Sequence, residues 1–327
     1  MSPASQKFQP NLAAAIGARV TIRLREASGG FRDIVGTLQR FGDGVNELLN
    51  SKGQIISFSE DEIAIWREIK PLPDRAGTGA PFSLRIQELE QLSDLTWPAD
   101  EIQEIGKWRL RISDGFTLRA NSVLPTGAGP LGEPNIDLET AVDEVIKIYL
   151  AAGLTPTFTL PLPIYDELDN YLAGLGWKIK FGAEYLVNDI PANLEVESSD
   201  FQIEIKSEPS PEWLAVQGDH QLERIMRNYP AKYAAVIHKG KFVGAGRIAT
   251  YEKWSLATRV FVDQEIRGKG IGTLLMRALM AAARDEGATK VGLQVDSENG
   301  AGLALYKSMG FRFHHSYNYR VLLDQRK

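Results

Sequence analysis

The pattern of hydrophobic and polar residues divides the chain into three segments, of which the first is rich in short strands. Arg19 to Arg25 alternates between apolar and polar side chains, as a half-buried strand does. Phe31 to Phe41, broken by Gly36, and Ile55 to Trp66 are predicted as further strands. Turn-forming residues lie between them, at 28–30, 42–44 and 51–53. This rhythm predicts a small antiparallel barrel over residues 12–72.

The two longer segments, 84–190 and 200–327, repeat one order of elements. In the middle segment we predict strands near Trp108–Ile112, Phe116–Leu124, Thr157–Leu160 and from Trp177. Helices are predicted between them, near Leu138–Ala151 and Tyr165–Leu175. In the last segment we predict strands near Ala234–His238, Lys241–Thr250, Ala257–Asp263, Lys290–Asp296 and from Phe311. Helices are predicted near Gly270–Gly287 and Ala301–Met309. We interpret the two segments as halves of a diverged tandem duplication.

The predicted barrel is SH3-like in size, and the Pro- and Gly-rich stretch that follows it, Pro71 to Pro81, is predicted as a linker.

Composition and charge limit the chemistry. The chain has 327 residues, enough for two or three domains, and no cysteine, which excludes disulfides, thiol nucleophiles and Cys-ligated metals. Basic and acidic groups number 9 and 8 in residues 1–72, 8 and 17 in 84–190, and 19 and 14 in 200–327, which gives net charges of +1, −9 and +5. The basic last segment is therefore the one expected to meet an anionic ligand.

The same composition sets expectations about location and partners. The N-terminal residues lack an apolar run behind a basic start, and no stretch approaches the roughly 20 apolar residues that span a bilayer. We therefore expect a cytoplasmic protein without membrane contact. The total charge of −5 and the scarcity of consecutive basic residues make nucleic acid an unexpected partner.

The sharpest motif is the turn Arg267-Gly268-Lys269-Gly270-Ile271-Gly272, between a predicted strand and an amphipathic helix. Glycines at the start of a helix expose backbone N–H groups, and the positive end of the helix dipole favours anions there. Arg267 and Lys269 add charge suited to a diphosphate. The spacing matches neither the Rossmann fingerprint nor a P-loop.

Together with the residues that follow, this turn resembles the signature of the GNAT superfamily of acyl-CoA-dependent N-acetyltransferases. That signature is Arg/Gln-x-x-Gly-x-Gly/Ala after a strand, then another strand, then Asn-x-x-Ala-x-x-x-Tyr on a helix that ends in Gly-Phe. Here the second part is Asn299, Tyr306 and Gly310-Phe311, with Gly302 in place of the usual Ala. The resemblance is strong over 200–325 and limited to element order over 84–190, where 126–130 and Leu172 depart from the two motifs.

The resemblance implies an α+β chain with a catalytic GNAT domain at 200–327, a degenerate GNAT-like domain at 84–190 that has lost the cofactor, and the N-terminal barrel. It also implies acetyl-CoA as cofactor. The residues expected to bind it are Phe261, Val262, Arg267, Gly268, Lys269, Gly270, Ile271, Gly272, Asn299 and Tyr306.

The resemblance also places Tyr306 as the acid that protonates the departing thiolate, with helix packing as the alternative. The base is left open among Glu252, which we place first, Asp296 and Glu298; each is also a candidate solvated turn residue. At most one of His314 and His315 can face the cleft, since strand neighbours face opposite sides. Tyr317 and Tyr319 are candidates for an acceptor pocket or for a half-buried strand face. Only four histidines and no His-Glu-x-x-His helix are present, so no metal site is predicted.

The predicted function is direct acetyl transfer from acetyl-CoA to a primary amine of a small molecule or peptide. Two alternatives are an acyl-CoA-binding regulatory protein without turnover and an acetyltransferase that acts on a basic protein. The barrel is interpreted as a packing or dimerisation module, which would make the protein a homodimer, or as a docking module for a protein substrate.

Overall fold

The computed structural model describes residues 12–26, 29–42, 44–50, 54–68, 82–196, 200–218 and 222–323. These residues form two compact units, one within residues 1–73 and one within 74–327. The predicted linker 71–81 lies outside the described residues, as do parts of the three turns predicted in the first segment.

The N-terminal unit is a five-stranded antiparallel sheet. Its strands are β1 (Arg19–Arg25), β2 (Phe31–Arg40), β3 (Glu47–Leu49), β4 (Ile55–Ser57) and β5 (Ile63–Glu68), in the order β4-β3-β2-β1-β5. The stretch predicted as one strand over 55–66 is instead two strands, because the 3₁₀ turn Glu60–Glu62 separates them. No pairing joins the two outer strands within the described residues, so closure into an SH3-like barrel stays a prediction.

The C-terminal unit contains both halves of the predicted duplication, and its α+β class is confirmed. The middle half holds α1 (Phe82–Leu95), β6 (Glu101–Ile105), β7 (Trp108–Ile112), β8 (Val123–Pro125), α2 (Leu138–Ala151), β9 (Thr157–Leu162), α3 (Asp166–Gly174) and β10 (Lys178–Asp189). The last half holds β11 (Gln202–Lys206), α4 (Pro211–Val216), α5 (Leu222–Met226), β12 (Lys232–His238), β13 (Lys241–Tyr251), β14 (Trp254–Val262), α6 (Ile271–Asp285), β15 (Lys290–Asp296), α7 (Gly300–Ser308) and β16 (Arg312–Val321).

All eleven strands of this unit belong to one sheet, in the order β11-β12-β13-β14-β15-β10-β16-β9-β8-β7-β6. The halves exchange their last strands: β10 pairs with β15, and β16 pairs with β9. The two exchanged strands also pair with each other along most of their length. The halves predicted as separate domains therefore share one compact unit.

The C-terminal half buries its sheet beneath α6. Residues at helical spacing, Ile271, Leu275 and Leu279, pack against Leu293 and Val295 of β15 in one apolar core. On the opposite face, Leu89 and Leu92 of α1 pack against β10 and β14. None of the described helices is long and apolar enough to cross a membrane.

Candidate active site

The candidate site lies where β14 and β15 part. Their parallel ladder pairs Trp254–Ala257 with Lys290–Leu293 and ends there. The next residues on each strand, Thr258 and Gln294, do not pair with each other, and both line a cavity. A gap between neighbouring strands gives a ligand on one face of the sheet access to the other face.

A bulge in β14 decides which face each of its later residues meets. Arg259 has a φ of 57°, in the left-handed region, and the ladder with β13 shifts there. Arg247 pairs with Thr258, whereas Ala245, two residues earlier, pairs with Phe261, three residues later. The extra residue in β14 shifts the in-and-out alternation of its side chains by one position after the bulge. Val260 and Val262 consequently face the α6 side, where they line a cavity and pack on the core.

This first cavity, which we call the donor cavity, has a volume of about 380 Å³. Eight of the ten predicted cofactor residues line it: Val262, Arg267, Gly268, Gly270, Ile271, Gly272, Asn299 and Tyr306. The sequence reasoning missed Val260, Thr273, Ala301, Gly302 and Leu305 as lining residues. Two sequence signals could have identified most of these residues. Strand alternation places Val260 on the same face as Val262, and helical spacing places the missed α7 residues near Asn299 and Tyr306.

Two predicted cofactor residues do not line the donor cavity. Phe261 lies between Val260 and Val262, and consecutive strand residues face opposite sides of the sheet. Lys269 is exposed in the turn. Their place among the cofactor residues stays a prediction, which for Phe261 concerns backbone pairing with the pantetheine amides and not the side chain.

The start of α6 is open to a ligand. Gly270 occupies the N-cap position with a φ of 76°, and no side chain caps the helix. The first amides of a helix have no intrahelical acceptor, so an anion can accept from them. Gly272 is needed for a different reason, because a Cβ there would lie 2.8 Å from Cδ2 of Leu305 on α7. The close approach of Leu305 to Gly272 brings α7 against the start of α6, so both helices line the donor cavity.

Tyr306 is a lining residue of the donor cavity. Its side chain is 7% exposed, and its ring centroid lies 5.6 Å from that of Phe311. Burial raises the pKa of the phenol to about 12. Among the described residues no group hydrogen-bonds to the Tyr306 hydroxyl. The phenol is therefore protonated at neutral pH, and its O–H is free to meet a ligand.

A second cavity, which we call the acceptor cavity, has a volume of about 430 Å³ on the face of the sheet opposite the donor cavity. Both halves contribute to its aromatic walls, which comprise Trp97, Phe116, Phe181, Tyr317 and Tyr319. Its charged lining residues are Arg119, Arg259 and Asp296. Tyr317 and Tyr319 are each 3% exposed, so they are buried residues that also line the cavity.

Comparison with known proteins identifies the family of this chain. The model of the family described as "Probable histone acetyltransferase Rv0428c C-terminal" matches residues 84–320, which include both halves. The chain belongs to this family. GNAT-superfamily membership, predicted from the two motifs, is thereby confirmed, and the chain is an acyltransferase of the GNAT type.

Individual relatives of this GNAT protein cover most of its length. It is 29% identical to the "Uncharacterized N-acetyltransferase YobR" of Bacillus subtilis over 72% of this chain and 98% of that one. It is 25% identical to the "Probable histone acetyltransferase Rv0428c" of Mycobacterium tuberculosis over 93% of this chain and 94% of the relative.

Solved structures share the GNAT fold. A GCN5-related N-acetyltransferase from Kribbella flavida matches 75% of this chain and 96% of its own, with a TM-score of 0.59 and 15% identity. A tandem GNAT protein from the clavulanic acid biosynthesis pathway matches 76% and 90%, with a TM-score of 0.50 and 16% identity.

Of the three carboxylates considered as the base, one lines a cavity of the GNAT site. Asp296 follows the parting of the strands, and its Oδ1 accepts a hydrogen bond from the Glu298 amide at 2.8 Å. Glu298 is exposed and lines neither cavity.

Glu252 lies in the turn before β14, at the end of the strand remote from the donor cavity. At about 3.3 Å per residue, the length of β14 puts Glu252 on the order of 25 Å from Val262. The structure does not bring Glu252 to the site, and we do not retain it as the base.

The two histidines lie together, away from both cavities. His314 and His315 are each 1% exposed, and their Nδ1 atoms form a hydrogen bond of 2.9 Å. The Nε2 atom of His315 lies 2.9 Å from Oε1 of the buried Glu90 on α1. Gln294, which lines the acceptor cavity, connects to the same Glu90 oxygen at 3.5 Å. This buried network holds the floor of the acceptor cavity in place.

Proposed function

We propose that this enzyme transfers an acetyl group directly from acetyl-CoA to the primary amine of a small molecule or peptide. The observation that carries the proposal is the pair of cavities on opposite faces of the sheet, which are lined by consecutive stretches of β14: 257–259 line the acceptor cavity, and Val260 and Val262 line the donor cavity. A thioester held on one face and an amine held on the other can then react across the gap. With no cysteine in the chain, the direct route needs no covalent enzyme intermediate.

The donor cavity supports acyl-CoA as the donor. Uncapped amides at the start of α6, together with Arg267, suit its diphosphate. Arg267 is oriented by a hydrogen bond from its Nε to the Val262 carbonyl oxygen, 3.3 Å long. Val260 and Val262 line the approach from this turn to the strand gap and suit the pantetheine arm. When bound, acetyl-CoA supplies the acetyl group as a thioester.

Two side chains are suited to move the protons. A primary amine with a pKa near 10.4 is mostly charged at neutral pH and must lose a proton before it attacks the carbonyl carbon. Asp296 is the carboxylate of the acceptor cavity suited to receive that proton. As the C–N bond forms and the C–S bond breaks, the Tyr306 hydroxyl can donate its proton to the sulfur. Its raised pKa keeps that proton in place until then.

A basic protein is the second candidate acceptor, because the name of the M. tuberculosis relative and that of the family both include histone acetyltransferase. The lining of the acceptor cavity favours the small molecule. Among the described residues its charged lining comprises Arg119, Arg259 and one carboxylate, that of Asp296, and Arg119 has no carboxylate partner. The Arg119 guanidinium repels a lysine flanked by other basic residues.

The proposal is tested by incubating the protein with acetyl-CoA and acceptors while free thiol is measured. The acceptors are simple amines, amino acids, neutral peptides and a lysine-rich histone-type peptide. We expect thiol release with small amines or neutral peptides above the rate of hydrolysis. Release with the basic peptide alone would favour the second candidate. Acetyl-CoA binding with no release from any acceptor would contradict an enzymatic role.

The same assay tests the base. Asp296→Asn removes the proton acceptor with little change in volume, and we expect kcat to fall about 10²-fold. Glu252→Gln is the matched carboxylate control and should retain the wild-type rate. The opposite order, with Glu252→Gln inactive and Asp296→Asn active, would reinstate Glu252.

A further inference from the structure

One cation of the acceptor cavity, Arg119, has no carboxylate partner among the described residues, and this bears on what the enzyme acetylates. Arg119 reaches the cavity from the segment between β7 and β8, and its Nη2 hydrogen-bonds to Oε1 of Gln294. Its Nε is buried and has no hydrogen-bond partner among the described residues. No carboxylate of the described residues forms an ion pair with Arg119.

A second cation lies behind the wall of this cavity. Arg247 on β13 is fully buried, and its guanidinium carbon lies 5.1 Å from the ring centroid of Trp97, a wall residue. The Arg119 guanidinium carbon lies 5.9 Å from the same ring. Arg247 donates to the carbonyl oxygens of Thr96 and Tyr229, at 3.1 and 3.2 Å, while its Nε and Nη1 have no partner within the described residues. Burial lowers the pKa of Arg247, as expected for a charge without a carboxylate beside it.

Glu90, a buried carboxylate on the far side of Gln294, is already engaged. Glu90 lies behind Gln294, which separates it from Arg119, and its Oε1 contacts Nε2 of His315 at 2.9 Å. Gln294 is fixed in orientation because its oxygen accepts from Arg119 and its amide nitrogen faces Glu90 and Ser93. Asp296 lies at the strand gap, where the amine must react. The cavity is thus negative at the reaction point and positive at Arg119, with apolar walls around both.

We propose that the acceptor is an amino carboxylate, a primary amine that also carries a carboxylate group and an apolar or aromatic body. The amine lies at Asp296, the carboxylate pairs with Arg119, and the body packs on Trp97, Phe181 and Tyr319. Arg119 lines the cavity, is partly exposed and has no carboxylate partner among the described residues, so a planar carboxylate, which accepts two hydrogen bonds from a guanidinium, suits it. This inference rests on the proposed function and names its substrate class.

The test compares three forms of one acceptor: the amino acid, its carboxamide and the amine that lacks the carboxyl group. Each set is made for alanine, leucine and phenylalanine, and kcat/KM is measured with acetyl-CoA. We expect the amino acid to exceed both of its analogues by tenfold or more in at least one set, mainly through KM. The amine of a carboxamide is less basic than that of the amino acid, so this preference cannot arise from a larger neutral fraction. Equal values within every set would overturn the inference.

Substitution of Arg119 separates recognition from general damage. Arg119→Gln should bring the ratio of amino acid to carboxamide close to one, and Arg119→Lys should restore part of it. Arg277→Gln, at an exposed position of α6, is the matched control and should keep the wild-type ratio. A ratio that Arg119→Gln leaves at its wild-type value would overturn the assignment. Transfer to no acceptor of any form, with acetyl-CoA bound, would instead contradict the proposed function.

Discussion

The two halves of the C-terminal unit begin their main helices in opposite ways. Helix α6 follows Gly270, which leaves the first amides uncapped. Helix α2 follows Asp137, whose Oδ1 accepts hydrogen bonds from the amides of Glu139 and Thr140, at 3.0 and 3.3 Å. Hydrogen bonds from Thr140 lower the pKa of Asp137, so this carboxylate is ionised at neutral pH. The anion site at the start of α2 is therefore taken by the chain's own side chain.

The turns that precede these helices differ in the same sense. A Cβ at Gly268 or Gly270 would meet nothing within 4 Å, so that turn is open. In the middle half, the Gly127 carbonyl oxygen accepts from Tyr165 and Gln87, each at 2.8 Å. A Cβ at Gly129 would lie 2.5 Å from the Ile164 oxygen. Glycines in one turn admit a ligand, and glycines in the other admit only the protein's own backbone.

The position that carries the proposed acid differs too. Tyr306 lines the donor cavity, whereas Leu172, the residue that corresponds to it when Gly176 is aligned with Gly310, is fully buried in the core of the middle half. A leucine has no proton to give. The comparison teaches that a shared order of elements survives the loss of the chemistry, which depends on a few residues at helix ends and on α7.

Giving α6 an N-cap carboxylate like that of α2 should have the largest effect on the contrast between the two helix starts. Gly270→Asp puts a carboxylate where we propose that the donor diphosphate binds. Like charges about 5 Å apart, at an effective dielectric constant of about 20, repel by roughly 3 kcal/mol, so acetyl-CoA affinity should fall about a hundredfold or more. Gly270→Asn has nearly the same volume and tolerates a positive φ comparably, so it should lose far less. Isothermal titration calorimetry measures both dissociation constants.

A further control isolates the backbone strain in this experiment. Gly287, beyond the other end of α6, has a φ of 93° and nothing within 4 Å of an added Cβ. Gly287→Asp should therefore cost similar stability and leave the dissociation constant for acetyl-CoA unchanged. Equal losses of affinity for Gly270→Asp and Gly270→Asn would show that charge does not decide the site.

Removing the phenol should have the next largest effect. Tyr306→Phe keeps the ring and its contact with Phe311, and we expect kcat to fall about 10²-fold with acetyl-CoA affinity unchanged. Tyr149→Phe is the matched control, because the Tyr149 hydroxyl is buried and donates to the Arg111 carbonyl oxygen at 2.9 Å, outside both cavities. It should lower stability by about 1 kcal/mol and spare turnover. An undiminished kcat in Tyr306→Phe would leave the tyrosine a packing residue.

The pH dependence of the wild-type enzyme should be flat on the alkaline side. Since burial raises the pKa of Tyr306 to about 12, the phenol keeps its proton through pH 10. We expect kcat at saturating acceptor to show no decline between pH 8 and 10. A decline with an apparent pKa near 9 that disappears in Tyr306→Phe would contradict the raised pKa.

Local patterns predicted the helices and strands around the site well. Helices α2, α6 and α7 and strand β15 lie within a residue or two of their predicted bounds. The helices have clear periodicity and begin after a residue that favours the N-cap position: Asp137, Gly270 and Asn299. The two motifs also identified most of the donor cavity, since its residues are close in sequence.

Long-range features escaped the sequence. The exchange of β10 and β16 depends on which strand pairs with which, and the partners are distant in sequence: β10 pairs with β15, and β16 pairs with β9. The bulge at Arg259 requires a positive φ in a residue other than glycine, which no pattern indicates. The acceptor cavity joins Trp97 and Arg119 to Gln294, nearly two hundred positions apart, so only the fold could place Asp296 ahead of Glu252.

The smallest expected effect comes from removing the N-cap side chain of α2. Asp137→Ala should cost about 1 kcal/mol in the free energy of unfolding, as lost N-caps do. Asp143→Ala, at an exposed position on the same helix, should cost less and is the matched control. Neither should add a second acetyl-CoA site, because the 126–132 turn stays closed by Gly132 and Tyr165 and the net charge of the middle segment stays strongly negative. Titration calorimetry should give one site per chain in every case, and a stoichiometry of two in Asp137→Ala would mean that this carboxylate alone had closed the site of the middle half.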